Sequence, residues 1–140
     1  MLVVTRYRVG TDPGGRAVGT AEAEFLPLAR AALDVLAGRP GFRSGRIGRA
    51  ADDPSYWIMT TEWEHVGAYR RALASYEVKQ HAVPLLSLAV DEPSAYEVLA
   101  SSGIGAEPGG ATGRSDRASD AGAIGLGAAS GPDVPTDLPA

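Results

Sequence analysis

Residues 56–64 carry the sequence YWIMTTEWE, and this stretch decides the fold more than any other part of the chain. In a strand, successive side chains point to opposite faces of the sheet. One face would then carry Trp57, Met59, Thr61 and Trp63. The other face would carry Tyr56, Ile58, Thr60 and Glu62. Because both faces contain apolar residues, we expect helices to cover one face and a second copy of the chain to cover the other.

The pattern on either side of this strand predicts five further elements. Three more strands are predicted at residues 2–9, 42–50 and 95–99, and helical regions at 21–37 and 65–88. The order β-α-β-β-α-β is that of an α+β, ferredoxin-like fold, with a four-stranded antiparallel sheet and two helices on one face. Pairing of the uncovered sheet face with its copy would give a dimeric α+β barrel.

Helical periodicity selects the faces on which the two helical regions would pack. In the first region, Thr20 is the predicted N-cap, and Glu22 and Glu24 suit the positive first turn. Its predicted buried stripe consists of Phe25, Leu28, Ala32 and Leu36. The stripe of the second region consists of Val66, Tyr69, Leu73 and Tyr76. Pro84 should break the second region into a main helix and a short one.

The last 40 residues differ in composition from the rest of the chain. Residues 101–140 hold 9 of the 18 glycines and no aromatic residue. Such a segment buries too little apolar area to offset its ordering entropy. We therefore expect one folded domain at residues 1–100 and a disordered tail rich in Gly, Ala, Ser and Pro at residues 101–140.

Charge and composition exclude several classes of function. The net charge is −4, of which residues 1–100 contribute −1, so we expect no nucleic-acid partner despite the local cluster of Arg43, Arg46 and Arg49. The chain has no Cys, which excludes disulfides, thiolate nucleophiles and Cys-based metal sites. No apolar run reaches the roughly 18 residues of a membrane span, and no signal peptide is recognisable, so we expect a cytoplasmic protein.

Several short motifs are similar to those of the antibiotic biosynthesis monooxygenase family. The motifs are Arg39-Pro40-Gly41-Phe42, Tyr56-Trp57-Ile58-Met59, Glu62-Trp63-Glu64 and the run from Pro84 to Val98. The resemblance covers residues 1–100 and implies the dimeric α+β barrel. It also implies several activities, since some members oxygenate anthrone-type phenols with O2 and no cofactor, while others degrade haem. The haem-degrading members use an Asn on the first strand, and this chain contains no Asn.

Five residues are candidates for the site, and each has a structural alternative. His81 is the candidate base or donor, because His titrates near neutral pH, but it also suits a solvated helix end. Trp63 is the candidate stacking wall, and Tyr69 and Tyr76 are candidate hydrogen-bond donors, although all three also suit a core. Arg6 would anchor an acidic or phenolic ligand, or form an ion pair across the dimer. No metal site and no bound cofactor are expected.

Three functional hypotheses follow from this sequence. The first is a monooxygenase acting on a small aromatic molecule with O2, which would bind, orient and deprotonate a substrate that itself reduces O2. The second is a non-catalytic homodimer that binds a small apolar ligand or another protein. The third is an isomerase, cyclase or decarboxylase that converts its substrate without O2, and fold analogy alone does not choose among them.

Overall fold

A computed structural model describes residues 1–103 of the chain. The predicted disordered tail, residues 101–140, lies outside the described residues except for its first three positions. The described elements are β1 (Leu2–Arg8), α1 (Glu22–Ala37), β2 (Phe42–Arg49), β3 (Tyr56–Trp63), α2 (Val66–Ala74), α3 (Tyr76–His81), α4 (Val83–Leu86) and β4 (Ala95–Tyr96). This confirms the predicted β-α-β-β-α-β order, with the second helical region divided into three helices.

The four strands form one antiparallel sheet in the order β2-β3-β1-β4. The central strand β1 pairs with β3 over its whole length, from Leu2 opposite Glu62 to Arg8 opposite Tyr56. The strands β2 and β4 form the two edges of the sheet. This arrangement confirms the α+β, ferredoxin-like fold.

The two faces of the sheet differ in burial, as the period of two predicts. On β1, Val3, Thr5 and Tyr7 are buried, whereas the residues between them are only partly buried. On β3, the buried set is the predicted one: Trp57, Met59, Thr61 and Trp63. We call the buried side the helix-covered face and the opposite side the open face. The homodimer that would cover the open face stays a prediction.

The start of α1 differs from its predicted form, because Thr20 does not cap it. The N-cap is Ala21, whose side chain makes no capping hydrogen bond. The carbonyl oxygen of Thr20 instead accepts a 2.7 Å hydrogen bond from the N–H of Gly10, which ties it to the end of β1. The acidic first turn is as predicted, and Pro27 lies inside the helix without ending it.

The buried stripe of α1 contains Ala29 where Leu28 was predicted. Leu28 is 48% exposed, and Ala29 is 1% exposed. Both positions fit a period of 3.6 residues with Phe25, so the periodicity alone does not separate them. The small side chains of Ala29 and Ala32, which is fully buried, allow α1 to lie close to the sheet.

The second helical region breaks first at Ser75, nine residues before the predicted break at Pro84. The Oγ of Ser75 accepts a hydrogen bond from the N–H of Val78, so Ser75 both ends α2 and caps α3. This break changes the direction of the chain before Tyr76, which is 72% exposed. The prediction that Tyr76 continues the buried stripe of Tyr69 is therefore wrong. Pro84 lies in the first turn of α4, where its missing N–H is tolerated.

The join between α1 and β2 requires glycine at position 41. Gly41 has a φ of +90°, and a Cβ built there would lie 2.4 Å from the Cβ of Ala68 in α2. A side chain at this position would thus be strained and would also push α2 away from the sheet. Gly41 therefore fixes the position of the helix that carries Tyr69.

The last strand is shorter than predicted and ends at Tyr96 rather than Leu99. In its register with β1, Tyr96 lies opposite Leu2, the first residue of that strand. The next residue would face Met1, which lies before β1 begins, so the ladder ends there. Within residues 1–103, no helix has the length and apolar composition needed to cross a membrane.

Candidate functional site

A cluster of hydroxyl and aromatic side chains lies buried between the sheet and the helices. We call it the interior cluster, and it consists of Thr5, Tyr7, Thr61, Trp63 and Tyr69. The first two come from β1, the next two from β3 and the last from α2. The alternation of the central strands and the periodicity of α2 direct all five toward the same layer.

Trp63 forms the aromatic wall of the interior cluster. It is 0% exposed, and its ring centroid lies 5.3 Å from that of Phe42 in an edge-on arrangement. The centroid of Tyr69 lies 5.3 Å away on a tilted ring. Its Nε1–H donates a 2.8 Å hydrogen bond to Oγ1 of Thr61. The indole is therefore held in one orientation by two rings and one hydrogen bond.

Tyr7 adds a short hydrogen-bonded chain to the cluster. Its hydroxyl donates to Oγ1 of Thr5 at 3.0 Å, and that hydroxyl donates to the carbonyl oxygen of Met59 at 3.4 Å. Burial raises the pKa of Tyr7 to about 12, an increase that the hydrogen bond with Thr5 only partly opposes. Tyr7 is therefore a neutral phenol at physiological pH, and its proton is already engaged.

The hydroxyl of Tyr69 takes no part in the hydrogen bonds of the interior cluster. The residue is 4% exposed, and burial, followed by the proximity of Tyr7, raises the pKa of its phenol well above the usual value. Within residues 1–103, the hydroxyl of Tyr69 makes no hydrogen bond. The hydroxyl oxygen is not fully enclosed by protein atoms, and a hydroxyl without a hydrogen bond is a donor available to a ligand.

The structure brings two of the five predicted site residues together and leaves three at the surface. Trp63 and Tyr69 are in contact in the interior cluster. Tyr76 is exposed, and His81 is exposed at the last residue of α3. Arg6 lies on the open face, where its NH1 is 3.5 Å from Oε1 of Glu92. The sheet itself thus separates Arg6 from the interior cluster.

The alternation of a strand places Thr5 and Tyr7 on the same face of β1 as Val3, but neither residue was predicted to belong to a site. The available signal was the pairing of two polar side chains, i and i+2, on a strand face that also carries Val3. Polar groups in such a layer need partners, which here they supply to each other. That criterion would have selected both residues before the structure was known.

The interior cluster supplies hydrogen bonds and aromatic surface rather than charge. In the described part of the chain, the buried polar residues besides the tyrosines are Thr5, Ser55 and Thr61, and none of these three is ionisable. Residues 1–103 also contain no group of three or more His, Cys, Asp or Glu side chains arranged to hold a metal ion. Neutral donors beside an indole suit the binding of a flat molecule with a carbonyl or phenolic oxygen.

Comparison with known proteins gives one family and one group of related structures. Residues 16–83 match the model of the family described as Antibiotic biosynthesis monooxygenase. The chain is similar to SnoaB, a cofactor-independent oxygenase from Streptomyces nogalater, with 25% identity, a TM-score of 0.54, and coverage of 74% of this chain and 95% of that one. A SnoaB variant gives 27% identity and a TM-score of 0.52, covering 64% of this chain and 82% of that one.

A third similarity concerns the fold alone. The structure of Rv0793 from Mycobacterium tuberculosis superposes with a TM-score of 0.51 at 18% identity, covering 75% of this chain and 97% of that one. No curated protein matches the chain.

Proposed function

The chain carries a domain of the antibiotic biosynthesis monooxygenase family, and from this premise we propose that it oxygenates a small aromatic or phenolic substrate with O2 in the interior cluster. The observation that carries this proposal is the side chain of Tyr69, whose ring packs against Trp63 and whose hydroxyl has no hydrogen-bond partner within residues 1–103. The similarity to SnoaB, which is a cofactor-independent oxygenase, supports the class of reaction.

The proposed reaction needs little from the protein besides binding and proton transfer. An anthrone-type substrate has a methylene group whose loss of one proton gives a carbanion stabilised by the adjacent rings. That anion passes one electron to O2, and the two radicals combine to a peroxide. Loss of water from the peroxide leaves a quinone, so one O2 is consumed for each quinone and each water formed.

The interior cluster would assist this reaction in two ways. Trp63 stacks on the flat substrate, and the Tyr69 hydroxyl donates to its oxygen, on which negative charge develops when the methylene loses its proton. The raised pKa of Tyr69 keeps this phenol protonated, and therefore able to donate, throughout the physiological range. A dry layer between sheet and helices strengthens this hydrogen bond relative to water.

The proton acceptor in this proposal is His81. It is exposed at the C-terminal end of α3, so it would act where the substrate reaches solvent rather than inside the cluster. An imidazole in this position exchanges the proton with bulk water. Tyr76 and Arg6 have no role in the chemistry proposed here, because one is exposed and the other lies on the open face.

Oxygen consumption on addition of an anthrone tests the proposal. We expect Tyr69→Phe to lower kcat/KM at least tenfold, because it removes the donor while keeping the ring beside Trp63. Tyr76→Phe is the matched control, with the same chemical change at an exposed position, and should leave kcat/KM unchanged. His81→Ala should lower the rate, and added imidazole should restore it in part. An uptake rate that Tyr69→Phe leaves unchanged would contradict the assignment.

We also propose that a second copy of the chain covers the open face. Partly buried apolar residues such as Val4 and Ile58 lie at the centre of this face in the single chain. Burying such a surface against its own copy is the common route to a closed two-fold dimer. Sedimentation should give twice the chain mass, and Ile58→Glu should reduce it to the monomer mass. A monomer at all concentrations would contradict this proposal.

The alternative function is a non-catalytic binding protein on the same fold. It is supported by the absence of a buried ionisable base among residues 1–103. This alternative predicts saturable binding of an anthrone or its quinone with no O2 uptake above the buffer rate. Tyr69→Phe would then weaken binding, and neither the variant nor the wild type would consume O2.

A further inference from the structure

A groove outside the interior cluster runs between α1 and the edge strand β2. It encloses about 640 Å³, which is within the range of small-molecule sites. Its apolar lining comes from Leu26, Leu33, Ile47 and Trp57, and its charged lining from Glu22, Arg30, Asp34, Arg46 and Arg49. The groove therefore combines an apolar floor with charged residues, a combination that the proposed oxygenase chemistry does not use.

The sequence of β2 explains why this groove exists. Gly45 has no side chain, and a Cβ there would lie 2.5 Å from Cδ1 of Leu33, so α1 rests directly on the strand at this point. Gly48 leaves a second gap in the strand, and β2 is the edge strand, so no further strand closes the groove on that side. Leu33 closes one part of the groove, and the side chains of Leu26 and Ile47 are left partly exposed beside it.

Trp57 lines the inner part of the groove, where it is 4% exposed, and its polar group is satisfied within the chain. Its Nε1–H donates a 2.8 Å hydrogen bond to the carbonyl oxygen of Pro54, so the indole needs no further polar partner. The guanidinium of Arg49 lies 5.6 Å from the ring centroid and forms a 3.0 Å ion pair with Glu22. These contacts hold Arg49 and Glu22 together at the Trp57 part of the groove.

The remaining charges leave the groove with an excess of cations. Arg30 and Arg46 form no ion pair or hydrogen bond within residues 1–103. Asp34 lies one helical turn after Arg30, but no ion pair within 4.0 Å joins them in the described part of the chain. With three arginines against two carboxylates, the lining carries one net positive charge.

From these features we infer that the groove binds an aromatic monocarboxylate. The ligand's flat apolar body would lie on Leu26 and Ile47, with Trp57 at the inner end of the groove, and its carboxylate would accept paired hydrogen bonds from the guanidinium of Arg30 or Arg46. One excess cation fits one carboxylate. A polyanion such as nucleic acid is a poor fit, because the chain as a whole carries a net charge of −4.

Fluorescence titration of the full chain with 9-anthracenecarboxylate tests the inference. We expect saturable binding that weakens at least tenfold in the double variant Arg30→Gln/Arg46→Gln and as NaCl is raised from 50 to 500 mM. The uncharged analogue 9-anthracenemethanol should bind at least tenfold more weakly. Arg43→Gln is the matched control, since it removes an equal charge from the same strand outside the groove and should leave the dissociation constant unchanged.

Amide chemical shifts separate this groove from the interior cluster. The carboxylate should shift the amide signals of Gly45 and Gly48, and Tyr69→Phe should not change its affinity. Binding that the double variant leaves unchanged, or that Tyr69→Phe weakens, would overturn the inference without deciding whether the chain is an oxygenase. A fall in the mass measured by sedimentation for the double variant would also overturn the inference, because the groove would then be a contact between copies of the chain.

Discussion

The two faces of the sheet are made from alternate residues of the same strands, yet they have different properties. On the helix-covered face, Tyr7 and Trp63 are almost fully buried and hydrogen-bond to neighbouring threonines. On the open face, Arg6 and Arg8 remain partly exposed and pair with carboxylates from loops. Chemistry that requires exclusion of water can therefore occur only on the first face, and the second becomes dry only if another molecule covers it.

The largest difference between the two faces is expected for truncation of an aromatic side chain. Trp63→Ala should lower the free energy of unfolding by about 3–5 kcal/mol, because it leaves a cavity in a layer with no access to water. Tyr96→Ala is the control on the open face, where Tyr96 lies opposite Leu2, and it should lower the same quantity by roughly 1 kcal/mol or less. Urea denaturation followed by circular dichroism measures both, and similar losses for the two variants would refute the contrast.

A pair of glycines measures how tightly α2 covers the sheet. Gly41→Ala combines a left-handed φ with a direct overlap against Ala68 and should lower the free energy of unfolding by about 3 kcal/mol. Gly10 has a φ of +69° with open space around it, so Gly10→Ala should lower it by only about 1 kcal/mol. The same denaturation experiment compares them, and if Gly10→Ala proves equally destabilising, the strain alone accounts for the effect of Gly41→Ala.

The buried phenols make the stability of the helix-covered face sensitive to alkaline pH. The pKa of Tyr7 is about 12 in the folded chain and about 10 when the chain is unfolded, so the unfolded state loses this proton first. The stabilisation is therefore complete below about pH 10 and disappears as the pH rises toward 12, a loss of roughly 2–3 kcal/mol. Tyr69, whose pKa is also raised, adds to the loss in the same direction.

Unfolding midpoints in urea between pH 8 and pH 11 measure this dependence. Tyr7→Phe should make the decline above pH 10 shallower, because the phenylalanine has no proton to lose. Tyr76→Phe, at an exposed position, should decline in parallel with the wild type. If Tyr7→Phe and the wild type decline equally, the buried phenol does not control the alkaline limit of the fold.

The strand faces could be predicted from the sequence because each residue of a strand lies on one of only two faces. The set of residues that is more apolar identifies the buried face. This was sufficient to place Trp63 on the correct face. Helical positions were harder, since Leu28 and Ala29 both fit the period, and only the closeness of α1 to the sheet selects the smaller residue. The predicted burial of Tyr76 was wrong for another reason. It assumed one continuous helix from Tyr69 to Tyr76, whereas Ser75 ends α2 and caps α3.

The interior cluster was only partly predictable for a related reason. A sequence indicates that Trp63 and Tyr69 share a layer, but the free hydroxyl of Tyr69 depends on which other hydroxyls pair with each other. Tyr7 pairs with Thr5, and Trp63 pairs with Thr61, so all of these partners are used within β1 and β3. Spacing along a chain does not contain that information, because it depends on side-chain rotamers and on depth within the layer.

The smallest effect is expected for Arg6→Gln, and its size reports whether the open face is covered. The ion pair of Arg6 with Glu92 joins two partly exposed side chains, and such pairs contribute about 0–1 kcal/mol. At a chain concentration low enough for monomers, the free energy of unfolding should therefore fall by less than about 1 kcal/mol. In a dimer, the same pair would be desolvated, and removal of one partner would cost roughly 3 kcal/mol or more.

Unfolding measured over a hundredfold range of chain concentration distinguishes these cases, with Arg30→Gln on α1 as the control whose small effect should not depend on concentration. A small effect of Arg6→Gln at every concentration would mean that water reaches the open face even in the assembled protein, and the contrast between the two faces would then be permanent.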